Sequence, residues 1–187
     1  MPSGLSCRTT FFTLLLRYIF PVSAILRNVS IDDTYGDPTT GEHFVYTPAQ
    51  AWNNSQTCDR CASDPDLGLS FDQTWHEATT PTNPFVTTNA TVKFQGTALY
   101  VYCILSYFSQ FWGNIDMTFY IDGEVHGSFV EYPPNTPNGT YHYSTLVFFT
   151  DALSQENHTF TLVNGEVTKT RSLVVLDYIQ YTWVTCL

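Results

Sequence analysis

The chain has 187 residues, a formal net charge of −10, and 16% aromatic against only 13% charged residues. That length suits one domain with a substantial core. So acidic a surface repels phosphate backbones and anionic headgroups, which argues against nucleic acid and anionic membranes as partners and leaves neutral glycans, cations and basic proteins.

Residues 1–24 read as a signal peptide, with the apolar run FFTLLLRYIFPVSA ending in Val22 and Ala24 at the small-residue positions of a cleavage site. The remainder, 25–187, reads as a single β-sandwich domain. Five acceptor triplets, at Asn28, Asn53, Asn89, Asn138 and Asn157, agree with a glycosylated, extracellular chain. No later segment reaches the roughly 18 apolar residues of a membrane-spanning helix.

Ile25 to Ile31 reads as the first strand, followed by a turn carrying Asp32, Asp33 and Asp37. Three acids in six residues suit a hard, oxygen-ligated cation such as Ca²⁺, and equally an ordinary solvated turn. His43 to Tyr46 is a short strand. Beyond Trp52, residues 53–68 form a long polar loop in which Cys58 and Cys61 are expected to pair as a disulfide. A thioredoxin-like redox pair would want a surrounding βαβ pattern, and zinc would want a second ligand pair. Leu69 to Thr80 reads as a strand. Its adjacent His76 and Glu77 point to opposite faces, which disfavours a joint catalytic role.

From Asn89 the alternation is clean, with Val92 and Phe94 on one face. Thr97 to Tyr107 is apolar on both faces, which predicts a central strand covered on both sides. Its Cys103 falls in phase with Leu99, Val101 and Leu105 and reads as a buried small apolar residue. Tyr107, Phe108, Phe111 and Trp112 cluster at a strand connection, where aromatics either cap the core or form a ligand platform. Met117, Phe119 and Ile121 point inward before a tight Asp122-Gly123 hairpin. Val125 to Val130, Tyr141 to Thr150 and Asn157 to Asn164 follow as strands.

The last strand, SLVVLDYIQYT, carries Asp177 at its centre, sharing a face with Leu173, Val175, Ile179 and Tyr181. A carboxylate among apolar neighbours needs a metal ion, hydrogen-bond donors or a cation. About nine mostly antiparallel strands give an all-β sandwich or jelly roll.

FQGTALYVYCIL, DMTFYIDGE, ENHTFTLVNG and SLVVLDYIQYT resemble the galactose-binding-like jelly roll, in particular carbohydrate-binding modules of families six and thirty-five. NVSIDDTYGDPTTG and TWHEAT, with these runs, also resemble uncharacterised extracellular domains abundant in basidiomycete fungi, which continue into a membrane helix. The first resemblance implies a structural calcium ion held by Asp177 with Asp32 or Asp33. It further implies a non-catalytic module at the cell surface or secreted, binding glycans such as those of a cell wall. Trp52, Trp75, Tyr107 and Trp112 are the candidate ligand rings. The alternative is a sensor or interaction ectodomain with a protein partner. A glycoside hydrolase is the third reading, and no pair among Asp116, Asp122, Glu124 and Glu131 stands out for it.

Overall fold

The computed structural model describes residues 24–58, 61–107, 113–134 and 139–186. The expected signal peptide lies outside them apart from Ala24.

Strong β propensity and repeated turn residues produce eleven strands among the described residues, where about nine were expected. They are β1 (Ala24–Asp32), β2 (Val45–Thr47), β3 (Trp52–Asn54), β4 (His76–Thr79), β5 (Thr88–Gly96), β6 (Ala98–Ser106), β7 (Ile115–Ile121), β8 (Glu124–Glu131), β9 (Tyr141–Thr150), β10 (Glu156–Asn164) and β11 (Leu173–Cys186). One sheet runs β3-β4-β11-β6-β9, with β1 also paired to β11, and the other runs β2-β5-β10-β7-β8. Neighbouring strands are antiparallel throughout. Every connection crosses between the sheets except β3 to β4 and β7 to β8. The fold is therefore the all-β jelly-roll sandwich expected from the sequence.

Between the sheets lies the main core. Leu99, Val101, Cys103 and Leu105 of β6 meet Val92, Phe94, Met117, Phe119, Phe160 and Leu162 of the opposite sheet. Burying side chains of this size contributes about 1.5–3 kcal/mol each. The β7 to β8 hairpin turns at Asp122 and Gly123, with φ of 54° and 85°, the left-handed pair that a two-residue turn demands.

Two expectations fail for identifiable reasons. Leu69 to Thr80 is not one strand, because two 3₁₀ turns, Leu67–Leu69 and Phe71–Gln73, occupy its first half. Nor does Asp177 share one continuous face with the residues expected beside it. A bulge interrupts the β11 to β6 ladder between Leu176 and Tyr178, and two residues of one strand there oppose one of the other. Val174 and Leu176 face the main core before the bulge, and Ile179 and Tyr181 face it after. Leu173 and Val175 instead join Trp75 and Ile104 in a second cluster. Asp177 is the residue at which the strand changes phase.

That second cluster lies on the outer side of the six-stranded sheet and is roofed by the loop after β3. Glu77 anchors the roof by accepting from Ala62 N (2.6 Å), Ser63 N (3.0 Å) and the Ser63 hydroxyl. Burial raises the Glu77 carboxyl and these donors oppose it. Asp64 N and Asp66 N donate to the Tyr141 and Tyr143 hydroxyls of β9 at 2.6 and 2.7 Å. The roof covers Ile104 and stops short of Tyr102 and Tyr100. Strand β6 is thus central but open on part of its outer face, a correction to the two-sided cover expected of it.

Candidate functional site

Two places in this frame merit a functional account. One is the acid group at the β11 bulge. Asp32, Asp33 and Asp177 are buried to 2%, 2% and 0% exposure. Asp32 Oδ1 accepts from Thr34 N (2.8 Å) and Tyr35 N (2.5 Å), and Thr74 Oγ1 lies 3.0 Å from Asp32 Oδ2 and 2.7 Å from Asp33 Oδ1. Asp33 Oδ2 meets the Thr34 hydroxyl at 2.9 Å and His76 Nδ1 at 2.5 Å, and Tyr46 stacks on the His76 ring. Asp177 Oδ1 accepts from Phe71 N at 2.9 Å, whereas its buried Oδ2 has no hydrogen-bond partner. Burial first, then Asp33 and Asp32, push the Asp177 carboxyl up to about 7.

These residues do not fit a calcium ion as they stand. Calcium takes six to eight oxygens at about 2.3–2.6 Å. The oxygens of Asp32 and Asp33 are already turned toward N–H, hydroxyl and imidazole groups, leaving Asp177 Oδ2 as the orphan of the three acids. Among the described residues, the three carboxylates do not bring ligand atoms within 4.8 Å of one another. The arrangement suits a proton on Asp177 better than a metal.

The second place is the open half of the outer sheet face. Tyr100 and Tyr102 of β6 project there beside Tyr178 and Gln180 of β11. Tyr178 is stacked between Phe71 (4.4 Å) and Tyr102 (4.5 Å, 11° between planes), so both its faces are covered. Tyr100 pairs with Phe149, itself 59% exposed. Tyr100 and Tyr102 line a groove of about 550 Å³ with Asn28, Gln180, Thr182 and Asp151 among its other walls. The polar groups are held in place: Thr182 Oγ1 donates to Asn28 Oδ1 (2.8 Å) and Gln180 Nε2 to Ser30 Oγ (3.4 Å).

None of the groove tyrosines was among the expected ligand rings. Trp52 and Trp75 are core residues, 8% and 3% exposed, and neither indole N–H has a hydrogen-bond partner. They correct the expected platform, because Trp52 packs into the core between the sheets and Trp75 lies in the second cluster under the roof loop. Tyr107 is half-buried, donates to Glu131 and packs against His142. Trp112 lies outside the described residues. The overlooked signal was the alternation of Tyr100 and Tyr102 with Leu99, Val101 and Cys103. Hydroxyl-bearing rings opposite aliphatic ones mark a face that is half wet.

The remaining expected sites divide. Cys58 and Cys61 form the disulfide, and Cys103 is a free, fully buried thiol. The Asn28, Asn53 and Asn157 side chains are exposed, Asn89 is half-buried with an orphaned Oδ1, and Asn138 lies outside the described residues. Three of the four candidate acids hold structural hydrogen bonds. Asp116 accepts from Thr168 N and Oγ1, Glu131 from Tyr107, and Asp122 accepts from Thr159 N and pairs with His158.

That last pair has a pH consequence. His158 Nδ1 is 2.7 Å from Asp122 Oδ2 and its Nε2 is 2.9 Å from the Ser154 carbonyl, so an imidazolium satisfies both. Burial alone would lower the His158 pKa, but the bonds to Asp122 and Ser154 and the nearby Glu156 raise it above 6.5. Its stabilisation is full below 6.5 and is lost as pH rises through the folded value. In urea unfolding, the stability difference between the wild type and His158→Gln should therefore shrink steadily from pH 6 to pH 9. A constant difference would mean that the ring stays neutral.

No known family matches the chain, and no curated protein does. Among solved structures it is similar to a family 35 carbohydrate-binding module from Clostridium thermocellum, at 9% identity and TM-score 0.41, covering 84% of this chain and 97% of that one. A CBM36-1 domain of a multidomain xylanase, from the hindgut metagenome of Trinervitermes trinervoides, aligns at 14% identity and TM-score 0.30 over 56% and 94%. The catalytic domain of a GH87 alpha-1,3-glucanase in complex with nigerose aligns at 10% identity and TM-score 0.34 over 75% and 28%. No helix among the described residues is long and apolar enough to cross a membrane.

Proposed function

We propose that this chain is a non-catalytic, extracellular glycan-binding module whose ligand lies across the open outer face of the six-stranded sheet. One observation carries the reading: Tyr100 and Tyr102 face a groove whose other walls supply amides and hydroxyls from Asn28, Gln180 and Thr182. Sugars offer apolar C–H faces ringed by hydroxyls, so binding them takes aromatic rings beside fixed donors and acceptors. Among the described residues Asp151 is the groove's single carboxylate and no cation lines it, which favours a neutral glycan over an anionic one. Glycans of a cell wall are the natural class for such a surface.

Thermal unfolding with soluble β-glucans, mannans and chitin oligomers tests the reading. A ligand at ten times its Kd adds about 1.4 kcal/mol, a midpoint rise of a few degrees. Added calcium or a chelator should leave the midpoint where it is, since the Asp32 and Asp33 oxygens are already engaged by Thr34, Tyr35, Thr74 and His76. A chelator-induced fall would restore the metal, and a panel in which no sugar shifts the midpoint would sink the glycan. Exposed Leu26 and Phe149 on the same face would then direct the search to a protein partner.

A further inference from the structure

We propose that Asn28 carries an N-linked glycan whose first sugars lie over Tyr100 and Tyr102, so that the chain's own glycan covers the groove read above as a ligand surface. The inference rests on that reading for its regulatory consequence but not for its geometry. Asn28-Val29-Ser30 is an acceptor triplet, and the Asn28 side chain is exposed on β1. In register, Asn28 lies opposite Thr182, which lies opposite Ala98, and Ser30 lies opposite Gln180, which lies opposite Tyr100. Asn28 therefore stands two strands from the tyrosine row, about 10 Å. Its Oδ1 accepts from the Thr182 hydroxyl at 2.8 Å, which leaves Nδ2, the atom that takes the sugar, free of that bond.

Asn28 also lines two hollows, the tyrosine groove and a neighbouring one of about 340 Å³ that reaches Phe71. A glycan rooted there has aromatic surface on its doorstep. The three other triplets among the described residues lack this setting. Asn157 is exposed on the opposite sheet and lines a different groove with Lys93 and His158. Asn53 stands on β3, at the far end of the strand order from β6, and Asn89 turns its Oδ1 into the protein.

A tethered sugar needs little intrinsic affinity to act. A short flexible link gives a local concentration in the millimolar range, which matches a sugar that binds a ring with a Kd near 1 mM, so the groove is covered about half the time. An external glycan competing with that cover binds about twofold more weakly than it would to the bare groove.

The test uses protein secreted from a eukaryotic host, compared with Ser30→Ala, with Asn157→Gln, and with wild type trimmed by an endoglycosidase. Hydroxyl-radical labelling of Tyr100 and Tyr102, read by mass spectrometry, requires no ligand. Ser30→Ala and the trimmed protein should both label about twofold or more faster at these rings, and Asn157→Gln should not. The affinity for whichever soluble oligosaccharide binds should rise in the same two samples. Faster labelling with no sugar binding would keep the glycan cover and overturn the proposed function instead. Unmodified Asn28 in the secreted protein, or equal labelling with and without its glycan, overturns the inference.

Discussion

Asp177→Asn should raise the thermal midpoint at pH 8 by about 5 °C or more, and should flatten the fall in stability between pH 4 and pH 7. Asp177 is fully buried, its Oδ2 has no partner, and its carboxyl is pushed up to about 7 by burial, Asp33 and Asp32. Below the unfolded value of 3.8, both the folded and unfolded chains hold the proton. Between 3.8 and about 7 the folded chain holds a proton that the unfolded chain has released, so stability drops as pH rises through that window. Keeping the group ionised above it costs up to about 4 kcal/mol, and a neutral amide avoids most of that cost. Phe71 N keeps its acceptor in the variant, because the amide oxygen can stand where Oδ1 stands. The groups facing Asp177 are Asp32, Asp33 and the Cys103 thiol, none of them a cation. His76 is engaged with Asp33. If a metal ion held Asp177 ionised, the same substitution would lower the midpoint and a chelator would lower it in the wild type alone.

The bulge that isolates Asp177 also marks the limit of what sequence pattern discloses. Val92 and Phe94 against Lys93 and Gln95, or Phe160 and Leu162 against their polar neighbours, specify a register, because a one-residue slip would bury polar side chains. In SLVVLDYIQYT both phases are apolar, so a change of phase leaves no trace in the letters. Only the pairing of Leu176 with Cys103 and then of Tyr178 with Tyr102 reveals it. Trp75 was illegible for a related reason: an indole after a polar loop looks the same whether or not that loop folds back over it. What settles its burial is long-range, the Glu77 carboxylate gathering Ala62 and Ser63 above Ile104 and Val175. The acid group fared better. Burial alone marked Asp177 as needing compensation, the family resemblance set Asp32 or Asp33 beside it, and the structure does gather them, with Asp33 N donating to the Asp177 carbonyl at 3.3 Å. Their neutralisation was only partly legible, since besides Thr34 and Tyr35 of the turn itself the partners are Phe71, Thr74 and His76, about forty residues further along the chain.

Replacing Tyr102 or Tyr100 with alanine should weaken binding of a recognised glycan about five- to tenfold, with the folded midpoint shifted far less than by loss of a core tryptophan. A ring against a sugar face contributes about 1 kcal/mol beyond the area it buries, and 1.4 kcal/mol is tenfold in Kd. Tyr100 and Tyr102 are half-exposed, so truncating them removes contact surface without opening a cavity. Trp52 and Trp75 are the informative controls. Each is buried, and its removal should cost about 3–5 kcal/mol of stability. The protein that remains folded should bind as the wild type does, because neither indole lines the groove. Titration calorimetry on the four variants, each below its own unfolding midpoint, separates the two outcomes. Binding lost in Trp75→Ala but kept in Tyr100→Ala and Tyr102→Ala would move the ligand surface to the roof loop and end the present assignment. Tyr178→Ala should fall between the two classes. Its ring is covered on both faces by Phe71 and Tyr102, so it acts by holding Tyr102 upright and touches no ligand directly.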